Sequence, residues 1–210
     1  APGSPSAGDL WFNSSGATVS SIFTKCVGIY NGTDWDQLSN IIFEPTGGTQ
    51  TTYSGYKVAT FTSSGTFTPN IAGTVDVLVV AGGGGAGAGR GGGGGAGGMV
   101  YRTGLDVTAQ AYTITIGAGG AGALNHSNDA TNGVDTVAFS VTAKGGGSGG
   151  TGGTGTSGRS VVETGGSGGG TTHGADGAFA SNQGTFSGWT SKGYAGGNGN
   201  GSNNESAGGG

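Results

Sequence analysis

No run of about eighteen apolar residues occurs in this 210-residue chain, so no membrane-spanning helix is expected. Charge is scarce: Asp, Glu, Lys and Arg make up 9% of the residues, and the formal net charge is −4. Seven Lys and Arg against eleven Asp and Glu leave no basic patch, which excludes nucleic acid as a partner on electrostatic grounds. The single cysteine, Cys26, excludes an intrachain disulfide and reads as a small apolar residue inside a strand. Leu, Ile, Val and Phe total 34 residues, too few for a conventional core. Low apolar content signals disorder when net charge is high, and that second condition fails. The first ten residues lack a basic segment followed by an apolar one, so no signal peptide is expected. The two histidines, His126 and His173, sit in polar surroundings without a neighbouring nucleophile, and a metal site needs more ligands. His173 and Asp176 are three apart, with no helical pattern to bring them to one face. The expectation is therefore a non-enzyme without cofactor or metal.

What the chain does contain is glycine, 55 residues of it. Eight lie in residues 1–55 and 47 beyond, whereas all four prolines fall at or before Pro69. This distribution divides the chain into an aromatic β-hairpin module at 1–43, a linker at 44–55, a β-sandwich at 56–144 with an inserted glycine tract at 82–98, and a glycine-rich tail at 145–210. Fourteen valines against five leucines favour strands over helices. In the first module Asp9–Asn13 reads as a strand, and Lys25–Tyr30 runs through Asn31-Gly32 into Thr33-Asp34-Trp35, a strong hairpin signal. Trp11, Tyr30 and Trp35 are expected to pack on one face of that sheet. In the second, Tyr56, Val58 and Thr60 oppose Lys57, Ala59 and Phe61. Val75, Val77 and Val79 alternate with Leu78 and Val80, which predicts a strand buried on both sides. Tyr112, Ile114 and Ile116 share a face, as do Val137, Phe139 and Val141 in a single expected strand. The predicted fold class is all-β: a small N-terminal β module and a glycine-rich, jelly-roll-like sandwich.

The run from Val77 to Gly87 imitates a dinucleotide fingerprint, with Asp106 placed as a ribose ligand. That chemistry needs the glycines to open a helix toward the pyrophosphate. Thirteen of residues 82–98 are glycine, each costing a helix roughly 0.5–1 kcal/mol, so no helix is expected there. A second pattern has period three: Gly146, Gly149, Gly152, Gly155 and Gly158, with Ser148, Thr151, Thr154 and Ser157 between them. Without proline this is not collagen. Two readings remain for the tracts at 82–98, 145–158, 164–170 and 195–201. They form a bundle of polyglycine II helices, with three residues per turn and bonds to neighbouring helices, or they are flexible glycine-serine linker.

The stretch Val58–Pro69, then Val75–Ala81 with its glycine tract, resembles the glycine-rich domain of bacteriophage tail-fibre and related virion proteins. Gly97–Tyr101, Tyr112–Gly120 and Lys144–Gly147 match the same pattern, so the likeness covers about 56–150. Separately, Gly8–Asn13 with Tyr30–Trp35 resembles a short aromatic module of phage structural proteins. The resemblance implies a fibre protein or adhesin on the outside of the phage particle, attaching to the host surface. It implies other virion proteins and copies of itself, as a trimer, for partners, with a host glycan or outer-membrane protein as receptor. It also places recognition residues between the tracts, here Asn125 and His126, and Phe186, Trp189 and Tyr194. The competing role for those three rings is to cap a small core in the tail. Two other functions compete: a purely structural virion component (shaft, connector or head decoration), and an ice-binding or silk-like glycine-rich protein.

Overall fold

The computed structural model describes residues 1–17, 19–20, 26–38, 43–152, 164–172, 179–199 and 207–210. The chain forms two compact units, Ala1–Phe43 and Glu44–Gly210. As the composition leads one to expect, it is all-β, with five small antiparallel sheets and no α-helix among the described residues.

The first unit holds β1 (Leu10–Phe12), β2 (Val27–Tyr30) and β3 (Trp35–Leu38), paired in that order. The β2–β3 turn is built by Asn31, whose Oδ1 accepts the Thr33 and Asp34 N–H groups at 2.8 Å each, with Gly32 at φ 104°. The expected aromatic cluster forms beside it. Trp35 is buried, with its ring centroid 5.6 Å from Trp11 and 5.5 Å from Tyr30. Cys26 lies one residue before β2, half-buried and unpaired.

In the second unit β4 (Thr49–Tyr53) and β5 (Tyr56–Thr60) form a hairpin through Ser54-Gly55, both at positive φ. The segment expected to be linker therefore carries a strand. Its threonine-rich run pairs with β5 along its full length, a signal that the lack of large apolar residues hides. β6 (Gly65–Phe67) pairs with β9 (Tyr112–Ile114). β7 (Gly73–Val80), β8 (Met99–Val107) and β12 (Thr190–Lys192) make a sheet in the order β12-β8-β7. A bulge between Val75 and Val77 leaves Asp76 to accept the Gly104 N–H at 2.8 Å.

Two expectations about strands are corrected here. β7 is buried on one side only: Val77 and Val79 face the core, whereas Leu78 and Val80 are 60% and 52% exposed. A continuous apolar run says nothing about whether a second layer exists to cover its outer face. Val137, Phe139 and Val141 do not share one strand either. Phe139 and Ser140, at φ 49° and 62°, turn the chain between β10 (Thr136–Ala138) and β11 (Val141–Ala143). Thr136 and Ala138 point inward and Val137 outward. The β10–β11 hairpin packs on β7 and β8, and Val100, Val107, Ile114, Val141 and Ala143 form the core. Phe139 closes that core against Phe67 and Tyr112, at centroid distances of 6.0 and 5.1 Å.

Beyond the ends of β7 and β8 the glycine tracts continue as extended chains whose hydrogen bonds recur every third residue. In the 145–152 tract the N–H groups of Gly146, Gly149 and Gly152 donate to the carbonyls of Gly82, Gly85 and Ala88 at 2.8–3.0 Å. Those of Gly147 and Gly150 turn to Ser167 and Gly170. Those of Gly145 and Ser148 face a third way, toward the side chains of Asp135 and Asn132, at 2.8 and 2.6 Å. Three successive residues bonding in three directions define the three-residue helix of polyglycine II. Gly92, Gly95 and Gly98 complete the cage by donating to Gly150, Gly147 and Lys144. Every residue of 145–152 and of 165–172 is buried, so these are the central rods of a bundle. Around them lie 81–88, 92–98, 117–123, 130–135, 194–199 and 207–210, each joined to a neighbour by the same repeat. The tracts at 117–123, 130–135 and 207–210 join those expected from the sequence. The remainder of the period-three run, Thr154 to Gly158, lies outside the described residues.

Candidate functional site

The bundle has two unlike ends. At one, the tracts emerge from the sheets: Ala81 and Gly98 follow β7 and precede β8, and Lys144 follows β11. Eight residues along from Lys144 lies Gly152, which at roughly 3.1 Å per residue puts the far end about 25 Å away. There the chain must reverse, and reversal requires what close packing forbids, namely side chains and turn conformations. Gly89 supplies one turn at φ 68°, followed by exposed Arg90. The 124–129 loop supplies another. Asn125 Oδ1 accepts the Ser127 N–H at 2.9 Å, and the Asn125 carbonyl accepts from the Asn128 N–H.

Among the described residues, three chain segments meet at this end. The His126 imidazole lies over Gly89, where a Cβ would overlap the ring, and Nδ1 hydrogen-bonds the Gly152 carbonyl. Thr151 Oγ1 donates to the Asn128 carbonyl at 3.1 Å. These bonds fix the loop to the end of the central rod and leave its outer side chains in solvent. Leu124 is 92% exposed, and Asn125, His126, Asn128 and Asp129 are exposed as well. Asn125 and His126 thus stand together at the bundle's tip, and Arg90 joins them. The sequence signal for Arg90 was available: it is the one charged residue within the 82–98 tract.

Phe186, Trp189 and Tyr194 are elsewhere, toward the sheets. The Trp189 N–H donates to the Phe186 carbonyl at 3.0 Å, in a turn completed by Gly188 at φ 76°. Trp189 leads into β12, whose pairing with Met99–Tyr101 sets the ring beside Arg102, with the guanidinium 5.9 Å from the ring centroid. Phe186 and Trp189 are half-buried. Tyr194 opens the 194–199 tract. Its backbone is held by Ser167 Oγ and the Gly168 N–H, and its side chain is exposed. The structure therefore separates the five residues into a tip pair and a sheet-end group. His173 and Asp176 lie outside the described residues.

The tip offers hydrogen-bonding groups, one apolar side chain and an arginine on a fixed frame, an arrangement suited to contact with another surface. Among the described residues, no three His, Cys, Asp or Glu side chains gather as metal ligands. A family model described as a glycine-rich domain matches residues 62–210 of the chain, and no curated protein or solved structure matches it.

Proposed function

The chain belongs to the glycine-rich domain family, and from that premise we propose that it is an external fibre component of a bacteriophage particle that contributes to host-surface attachment. The observation that carries this reading is the distribution of side chains along the bundle. Its length is close-packed backbone, and its far end gathers turns that display Arg90, Leu124, Asn125 and His126. Recognition groups belong on loops held by a rigid scaffold, because the scaffold keeps them in place while the loops supply the chemistry. A bundle whose rods are bonded to one another on every side is such a scaffold. The Trp189–Arg102 platform is a second surface of the right kind, since an aromatic ring brings large contact area at low entropic cost. On this reading the chain binds and does not catalyse. Its partners are copies of itself, other virion proteins and a glycan or protein of the host's outer surface.

Mass spectrometry of purified particles is expected to find the chain, and its absence would refute a virion role. Recombinant protein added to host cells is expected to slow adsorption of the particles. The double variant Arg90→Ala/Leu124→Ala, which leaves the His126–Gly152 bond in place, is expected to lose most of that competition while keeping its thermal midpoint. A chain that is present in particles but does not compete is a shaft or connector without a receptor site.

A further inference from the structure

Asparagine is followed by glycine four times in the chain, at Asn31, Asn132, Asn198 and Asn200. The pair is a chemical weak point, because the glycine nitrogen, with no Cβ beside it, has open access to the asparagine side-chain amide. What differs among the sites is how the fold holds the two groups. In the bundle the attacking nitrogen is occupied. The Gly133 N–H donates to the Gly146 carbonyl at 2.9 Å, while Asn132 Oδ1 accepts the Ser148 N–H at 2.6 Å. The Gly199 N–H, in a buried residue, donates to Thr171 Oγ1. Each nitrogen must give up its hydrogen bond before it attacks, so a rod has to open first. Asn200 lies outside the described residues.

The β2–β3 turn has the opposite arrangement. Gly32 is exposed, and among the described residues nothing accepts its N–H. The Asn31 side chain is held as an electrophile. Its Oδ1 accepts the backbone N–H groups of Thr33 and Asp34 at 2.8 Å each, and its Nδ2 donates to Asp36 Oδ2 at 2.9 Å. Two donors aimed at a carbonyl oxygen stabilise the oxyanion that forms when its carbon becomes tetrahedral. A carboxylate beside the nitrogen favours the positive charge that nitrogen takes on as it leaves.

We propose that Asn31 is a self-modification site, at which the turn promotes its own deamidation with Asp36 assisting departure of the amide nitrogen. The Gly32 nitrogen bonds to Asn31 Cγ and gives its proton to solvent. The Cγ–Nδ2 bond breaks, and Nδ2 leaves as ammonia with a proton taken from water. Water then opens the succinimide ring, at one carbonyl to give aspartate and at the other to give isoaspartate. Nothing is oxidised or reduced, and water is the only co-reactant. Either product sets a carboxylate against Asp36 where an amide had donated to it, and the two like charges repel. Isoaspartate also adds a backbone atom to the turn that sets the Tyr30–Trp35 pairing. The reaction loosens the hairpin of the 1–43 unit and leaves Asn132 and Asn198 of the bundle intact.

The folded full chain, held at mildly alkaline pH and sampled over time, is expected to convert first at Asn31. The readout is the mass gain of each asparagine-containing peptide after acidic digestion. In denaturant the same pairs lose their different surroundings. Folding is therefore expected to slow conversion many-fold at Asn132 and Asn198 but not at Asn31. An Asn31 that converts many-fold more slowly folded than denatured, or no sooner than Asn132 in the folded chain, would overturn the proposal. Asp36→Asn keeps an acceptor for Nδ2 and removes the charge. It is expected to slow conversion of Asn31 severalfold in the folded chain and to leave the denatured rate unchanged, with near-ultraviolet circular dichroism checking the packing of Trp11 on Trp35. An unchanged folded rate would overturn the part given to Asp36.

Discussion

At Gly149 an added Cβ would overlap the backbone of Gly92 and Gly93, and no flexible side chain is present to move aside. At Gly119 the nearest atom would be the Gly83 carbonyl oxygen at 3.7 Å, an ordinary contact. The two glycines are indistinguishable in composition and opposite in consequence. Gly149→Ala is expected to cost about 1–3 kcal/mol through forced separation of the rods. Gly119→Ala is expected to be neutral, or to gain about 0.4–1 kcal/mol by restricting the unfolded chain. Thermal unfolding of the two variants decides this, and equal effects would mean that the rods are not close-packed. Asp135 gives a second residue-level test. Burial alone raises its carboxyl, but bonds from Lys144 Nζ and the Gly145 N–H, together with the lysine's charge, outweigh burial and hold it below its ordinary 3.8. A carboxyl depressed by folding stabilises the fold above its unfolded value, and that contribution is lost as pH falls through the folded one. Melting temperature should therefore fall below about pH 4. Asp135→Asn keeps an oxygen for Gly145 and should flatten the acid limb of the curve. An unchanged limb would assign acid sensitivity to other carboxylates.

At the scale of the element, Ser140 is the position to change. It sits at φ 62°, where a non-glycine residue is strained. Ser140→Gly should stabilise the protein by up to about 1 kcal/mol in chemical denaturation. A loss would show that the serine side chain contributes more than its backbone costs. That turn also shows what the sequence concealed. Asn31-Gly32 announces its hairpin because both residues tolerate positive φ, whereas Phe139-Ser140 carries no such mark and is held by the packing of Phe139 on Phe67 and Tyr112. The alternation of Tyr112, Ile114 and Ile116 was readable for the opposite reason, since a single buried face sets it. The 130–135 rod was hidden because only one of its six residues is glycine. It enters the lattice through Asn132 and Asp135, whose side-chain oxygens stand three residues apart where carbonyls stand in the other rods. At the tip, Asn125 and His126 were legible as polar residues between tracts. That they share an end with Arg90, and not with Trp189, follows from the course of the rods and from no local pattern.

At the scale of the whole molecule, stability should be graded outward from the central rods. Amides of 146–150 and 166–170 are buried and bonded on several sides, whereas those of β4 and β5 are exposed along both strands. Hydrogen exchange should be slowest in the glycine tracts and fastest in the hairpin, the reverse of what glycine content alone predicts. Rapid exchange through 146–150 would restore the flexible-linker reading of that segment. The same bond directions set how the bundle carries load. Its hydrogen bonds lie across the rods, and parallel and antiparallel neighbours alternate around 145–152. A pull along the axis therefore loads every row in shear at once, and no row can yield before the others. A sideways pull at 207–210 opens its bonds to 168, 171, 93 and 96 one after another. The bundle resists tension along its length and peels from its edge.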